Sequence, residues 1–238
     1  MVRKKPTRSL PNRTHQAPVL LPGRLREAIP QEEFDYQTLM QGLKNYASPR
    51  DKVTDLLEKG IIIRVKKGLY LFGQPYRRRP ISREVIANLL YGPSYISLEY
   101  ALQYHGLIPE AVETLTSVTT GRSRRFRTPV GTFTYRAIPL RAFRTGMDLV
   151  QADDGRTFLI ATPEKALADK LVAERGIGIK DVPAMREYLA ENLRIPPGEL
   201  GRLDRERMEQ IAASYRSRRI LILARLVEED QHTIGEGA

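Results

Sequence analysis

Residues 48–72 read SPRDKVTDLLEKGIIIRVKKGLYLF, and their reading decides the fold of the N-terminal part of the chain. Ser48 stands where a helix N-cap is wanted. Pro49 follows at the first helical position, where a missing N–H costs no hydrogen bond. Val53, Leu56 and Leu57 recur at helical spacing and define one apolar face. Gly60 supplies the residue that ends a helix in a left-handed conformation. Ile61 to Val65 is rich in β-branched side chains and predicts a strand. Lys66, Lys67 and Gly68 form a turn, and Leu69 to Phe72 returns as a second strand.

Upstream, a short helix is predicted over Arg24 to Ala28. A second is capped by Asp35, with Leu39, Met40 and Leu43 as its stripe. Helix, turn, capped helix and hairpin, in that order, predict a winged helix-turn-helix over 24–73. Residues 1–23, with four prolines and scattered charge, read as a disordered basic arm. Residues 74–81 read as a basic linker that carries Arg77, Arg78 and Arg79.

A larger α/β domain is expected over 82–230. Helices are predicted near Arg83–Leu90 and Leu98–Tyr104, the latter capped by Ser97. Strands are predicted in TLTSVTT (114–120), RRFRT (124–128) and GTFTYRAI (131–138). DDGRTFLIAT (153–162) reads as a turn into a strand, and Thr162 with Pro163 opens another helix. Further helices are predicted over 182–192 and 204–228, and 231–238 reads as a frayed, disordered tail. The expected fold class is therefore α+β, a winged helix-turn-helix followed by a larger mixed α/β domain.

Charge is uneven along the 238 residues. Residues 1–80 hold 17 basic and 7 acidic residues, a net +10 of the chain's total +11. Without residues 1–13 the excess in 14–80 is still +5. A basic domain beside a nearly neutral one points to a polyanionic partner. The predicted helix that opens at Ser48 does not supply that attraction, because Arg50, Lys52 and Lys59 are balanced by Asp51, Asp55 and Glu58. In a helix-turn-helix this helix enters the major groove, so Arg50, Asp51, Lys52, Thr54 and Asp55 are the candidate outward residues. Arg50, Lys52 and Thr54 are the candidate base readers, and Ser48 is a further DNA-binding candidate. Lys44 and Tyr46 sit by the turn, placed for a phosphate. Arg64, Lys66 and Lys67 on the wing, Arg77–Arg79, and Arg3, Lys4, Lys5 and Arg8 in the arm are the candidate phosphate contacts. Six neutralised phosphates would give a log affinity against log salt slope of about −5. Arg122, Arg124, Arg125 and Arg127 form a second basic cluster, in which Arg125 and Arg127 share one strand face.

Several classes of chemistry lack their residues. There is no cysteine, so thiolate catalysis and cysteine-held zinc are excluded. His15, His105 and His232 have no metal spacing, and neither a phosphate loop nor a G-x-S-x-G elbow is present. Asp154, Glu164 and Lys165 offer the residue types of a metal-dependent nuclease over 154–169. Glu164 and Lys165, however, are adjacent and diverge by about 100° on a helix. Lys165 and Asp169 have instead the spacing of an i,i+4 pair. No enzyme, metal or cofactor is expected. No apolar run reaches transmembrane length, and the basic N-terminus lacks the apolar segment of a signal peptide, so a cytoplasmic location is expected.

GIIIRVKKGLYLF (60–72) resembles the wing of the AbiE-type antitoxins, the transcriptional regulators of type IV toxin–antitoxin pairs. SYISLEYALQYHGLIPE (94–110), TSVTT (116–120), FRTPVGTFTYRAI (126–138) and IATPEKALADKL (160–171) resemble the segments that follow, in order, over about residues 34–175. The resemblance implies a DNA-binding regulator that represses its own operon through promoter repeats, an arrangement that admits a homodimer on DNA. It also implies that the protein opposes a nucleotidyltransferase-like toxin without a stable complex. The alternatives are a winged helix that binds protein rather than DNA, and the nuclease.

Overall fold

The computed structural model describes residues 22–174, 176, 178–196 and 198–236. Arg3, Lys4, Lys5, Arg8 and Arg13 of the basic arm lie outside the described residues. Two units divide the described chain: 22–63 with 70–78, and 64–69 with 79–236.

The first unit opens with α1 (Pro22–Ala28), so Pro22 and Gly23, read above as part of the arm, belong to a helix. β1 (Glu33–Asp35) leads into α2 (Tyr36–Gly42), where Asp35 accepts the Thr38 N–H at 2.7 Å as an N-cap should. α3 (Pro49–Glu58) begins at Ser48, but the Ser48 side chain makes no capping hydrogen bond and the cap rests on position alone. At the far end Gly60 takes φ +63°. Its N–H reaches Leu57 O (3.1 Å) and the Ile61 N–H reaches Leu56 O (2.9 Å), the paired closure that a left-handed glycine permits. β2 (Ile62–Lys66) and β3 (Leu69–Phe72) follow, with residues 64–69 at the hairpin's tip counted in the second unit, and the three strands pair in the order β1-β3-β2.

The core of this unit gathers Leu25, Ile29, Phe34, Leu39, Leu43, Val53, Leu56, Ile62 and Phe72. Leu39, Leu43, Val53 and Leu56 are positions that the helical periodicity selects, whereas Met40 and Leu57 of the same stripes are only partly buried, and Leu25, Ile29 and Phe34 lie outside those stripes. Gly73 closes the hairpin against the end of α3: its N–H donates to Ile61 O, and a Cβ there would fall 1.9 Å from Gly60 O. Arg26 and Glu32 form a buried ion pair, and Glu32 also accepts the Arg78 N–H at 3.0 Å. The stretch 74–81 is therefore partly anchored, beginning with a 3₁₀ turn over Gln74–Tyr76, where its composition predicts a plain linker.

The second unit is a mixed α+β arrangement around a six-stranded sheet of order β6-β7-β5-β4-β9-β8. Its elements are α4 (Arg83–Leu90), β4 (Ser94–Ile96), α5 (Leu98–Tyr104), β5 (Leu115–Thr119), β6 (Arg124–Thr128), β7 (Gly131–Ala137), α6 (Leu140–Phe143), β8 (Met147–Gln151), β9 (Thr157–Ala161), α7 (Pro163–Ala173), α8 (Val182–Glu187), α9 (Arg205–Tyr215) and α10 (Arg218–Glu236). β5 runs parallel to β7, β4 runs parallel to β9, and the other pairs are antiparallel. β4 is too short to satisfy β9 along its length. The Asn88 side chain takes over, accepting the Leu159 N–H (2.6 Å) and donating to Leu159 O (3.3 Å).

Two expectations change. The predicted helix 204–228 is two helices, because Arg216 takes φ +53° and breaks the ladder between α9 and α10. α10 then continues to Glu236, through most of the segment read as a frayed tail. No helix among the described residues is long and apolar enough to cross a membrane.

Candidate nucleic-acid interface

The outward strip of α3 consists of Arg50, Asp51, Thr54 and Glu58, all exposed, while Val53 and Leu56 are buried. One cation against two carboxylates leaves this strip with a net charge of −1. Lys52, read above as a base-facing residue, is turned along the helix. Its ammonium pairs with Asp55 and lies 5.7 Å from the centre of the Tyr46 ring. Asp55 also pairs with Lys59, and the two lysines hold its carboxyl below the usual range. Asp55 is thus the acidic residue of α3 that pairs within the helix.

Near the turn, Tyr46 is half-buried and packs against the first unit's core. Lys44 is exposed on the rim of a recess of about 570 Å³ that Gln37, Thr38 and Asn45 also line. Ser48 is exposed and free of any capping duty.

The hairpin separates its cations. Arg64 and Lys67 are exposed and have no ion partner among the described residues. Lys66 is half-buried; its Nζ donates to Leu90 O and lies 6.0 Å from the centre of the Phe126 ring. Burial pushes its pKa below the ordinary lysine value. The strand period does not explain the split, since it puts Arg64 and Lys66 on the same face, opposite the buried Val65; what differs is the acceptor that Lys66 meets at Leu90 O. One of the three ammonium donors of Lys66 is therefore turned to Leu90 O, which sets it apart from the exposed Arg64 and Lys67.

The arginine run is divided too. Arg77 Nε donates to Phe72 O at 3.0 Å, and Arg79 Nη1 donates to Asp154 O at 3.1 Å. The Arg78 side chain is exposed, with only its backbone N–H engaged. Of the described residues predicted to meet phosphate or bases, five cations have no side-chain partner among the described residues: Lys44, Arg50, Arg64, Lys67 and Arg78. Ser48 and Thr54 remain as exposed hydroxyls.

The nuclease residues are each committed elsewhere. Asp154 binds Arg156 within its own turn. Glu164 is buried and accepts from the Asp204 N–H (2.9 Å) and from Arg207 Nη1 (3.3 Å). Lys165 is paired with Asp169 in the interior. His105 closes α5, with Nε2 2.7 Å from Ala161 O. Among the described residues no group of three or more His, Asp or Glu side chains is placed to hold a metal ion. On β6, Arg124, Arg125 and Arg127 are exposed, as is the preceding Arg122.

No family model matches the chain, and no curated protein matches it.

Proposed function

We propose that residues 24–73 form a winged helix that binds duplex DNA, and that the protein is an autoregulatory antitoxin of the AbiE type opposing a nucleotidyltransferase-like toxin. The observation that carries the DNA-binding reading is local. α3 buries Val53 and Leu56 and leaves Arg50 and Thr54 outward, and it is followed at once by a hairpin whose Arg64 and Lys67 are exposed. In a winged helix those are the positions that reach base edges and flanking phosphates. The three-stranded order β1-β3-β2 supports the same reading. The antitoxin role rests on the ordered resemblance of residues 34–175 to that family.

The attraction to DNA is electrostatic and comes from around the helix rather than from it. If all five partner-free cations met phosphates, log affinity would fall with log salt at a slope of about −4.5. Titrating the full chain against its own upstream DNA over a range of salt tests this. A steep negative slope and a preference for that DNA over unrelated duplex are expected. Failure to bind any duplex at low ionic strength would end the reading.

The acidic outward strip of α3 favours a second reading, a winged helix that docks on a basic protein surface. Under it, the binding seen would be to protein and would survive loss of Arg64 and Lys67.

A further inference from the structure

The second unit contains a cleft of about 620 Å³ unrelated to the DNA reading, lined by residues of α5, β5, β6, β7 and α7. The sheet register sets its floor. Arg125 pairs across strands with Thr134, and Thr134 pairs with Thr116, so three polar side chains from β6, β7 and β5 lie in one row on one face. Thr116 is fully used, donating to Ser97 O (2.6 Å) and accepting the Tyr100 N–H (3.0 Å). Arg125 and Thr134 have no side-chain partner among the described residues. Ser123 accepts the Ala137 N–H at 3.0 Å and keeps its own O–H to give. Every free side chain of this floor can thus donate, the guanidinium solely so, and an oxyanion satisfies a guanidinium beside two hydroxyls.

The opposite wall is of different character. Lys170 Nζ is held between Glu99 Oε1 and Glu174 Oε1, both at 2.9 Å, and Glu174 also accepts from the Tyr188 hydroxyl. Glu99 is left with a carboxylate oxygen that can accept from a ligand hydroxyl. Leu98, just before it, takes φ +61°, a left-handed conformation that a leucine adopts only at a cost. The two hydrogen bonds of Thr116, to residues on either side of Leu98, hold that backbone in place and so fix where Glu99 enters the cleft wall. The lining has no exposed aromatic face for a base to stack on.

We infer that this cleft binds a small phosphate monoester with a hydroxylated body, as in a sugar phosphate or the ribose-phosphate part of a nucleotide. Arg125, Thr134 and Ser123 take the phosphate, and Glu99 accepts from the hydroxyls. A duplex backbone suits the cleft poorly, because its repeated phosphates would meet Glu99 and Glu174 in a recess of small-molecule size.

Calorimetric titration of the full chain with ribose 5-phosphate, glucose 6-phosphate, a nucleoside 5′-monophosphate and inorganic phosphate, at constant ionic strength, tests the proposal without reference to DNA. At least one ester should bind, and more tightly than inorganic phosphate. Which ester binds best identifies the body. Arg125→Ala, at an exposed position where folding is not at stake, should weaken ester binding about tenfold or more. Glu99→Gln should weaken the ester but leave inorganic phosphate unchanged. The proposal is overturned if no ester binds at millimolar concentration, if Arg125→Ala binds as wild type does, or if inorganic phosphate binds as tightly as every ester.

Discussion

Lys165 and Asp169 stand one turn apart on α7 with Nζ 2.6 Å from Oδ1, and neither side chain reaches solvent. Asp169 also accepts from Ser97 Oγ at 2.7 Å and from the Tyr215 hydroxyl at 2.6 Å, so one carboxylate joins the entry to α5, α7 and the end of α9. Lys165 Nζ lies 4.1 Å from the centre of the Tyr215 ring. Burial pushes the Lys165 pKa down, and the charge and hydrogen bond of Asp169 oppose that shift. Burial and the Asp169 charge push the Tyr95 and Tyr215 hydroxyls up, which keeps both protonated.

The first prediction follows from that network. Asp169→Asn leaves a buried ammonium without its counter-charge and should destabilise the second unit by about 3–5 kcal/mol. Lys165→Met combined with Asp169→Leu removes both charges and should cost less than Asp169→Asn alone, since no uncompensated charge remains. Urea unfolding followed by circular dichroism reads both. A cost below about 1 kcal/mol for Asp169→Asn would mean that water reaches the site.

A second prediction separates two adjacent lysines. Lys67 is exposed, whereas Lys66 already gives its ammonium to Leu90 O. Lys67→Ala should weaken DNA binding broadly and make the salt slope shallower by about 1, while Lys66→Ala leaves the slope unchanged. Adding Arg64→Ala should remove about one unit more. If Lys66→Ala and Lys67→Ala shift the slope equally, the Lys66 side chain leaves its place when DNA binds.

These two adjacent lysines also mark how far the sequence could be read. The apolar stripe of α3, the Gly60 stop and the Asp35 and Thr162 caps were legible, because each depends on a few neighbouring residues and a fixed period. The fate of Lys66 was not, because its acceptor lies 24 residues away in sequence. The same applies to Ser97. It sits at the start of α5 as its position predicts, yet its hydroxyl serves Asp169, 72 residues on, instead of capping the helix. β8 has no β-branched run and went unread as a strand; its pairing with β9 over the turn at 152–156 makes it one. The cleft was hidden for a further reason. Its floor depends on β5 and β7 running parallel, and no local pattern in either strand encodes that register.

The third prediction concerns the outward strip of α3. Asp51 and Glu58 are exposed and have no ion partner among the described residues. Asp51→Asn with Glu58→Gln should raise affinity for DNA severalfold at low ionic strength, an effect that fades as salt screens it. Under the protein-docking alternative the same pair should weaken binding to a basic partner instead. Electrophoretic mobility shifts at two salt concentrations decide between them, because the sign of the change differs.

The fourth prediction is a pH dependence at the start of α2. The Thr38 N–H, donating to Asp35, holds that carboxyl below its ordinary value. In the unfolded chain Asp35 titrates in the usual carboxylate range, so between the lowered and the ordinary pKa the unfolded state binds more protons and stability rises with pH. The contribution is complete above the usual range and is lost as pH falls through the lowered value. Asp35→Ala removes the cap and should cost about 1 kcal/mol near neutrality. Asn caps nearly as well as Asp but does not titrate, so Asp35→Asn should lie close to wild type in acid and fall slightly behind it as pH rises past the carboxylate range. The difference in urea midpoint between wild type and Asp35→Asn, followed from acid to neutral pH, reads this directly. A difference that stays constant with pH would show that the charge of Asp35 adds nothing to the hydrogen bond, and that the cap works through geometry alone.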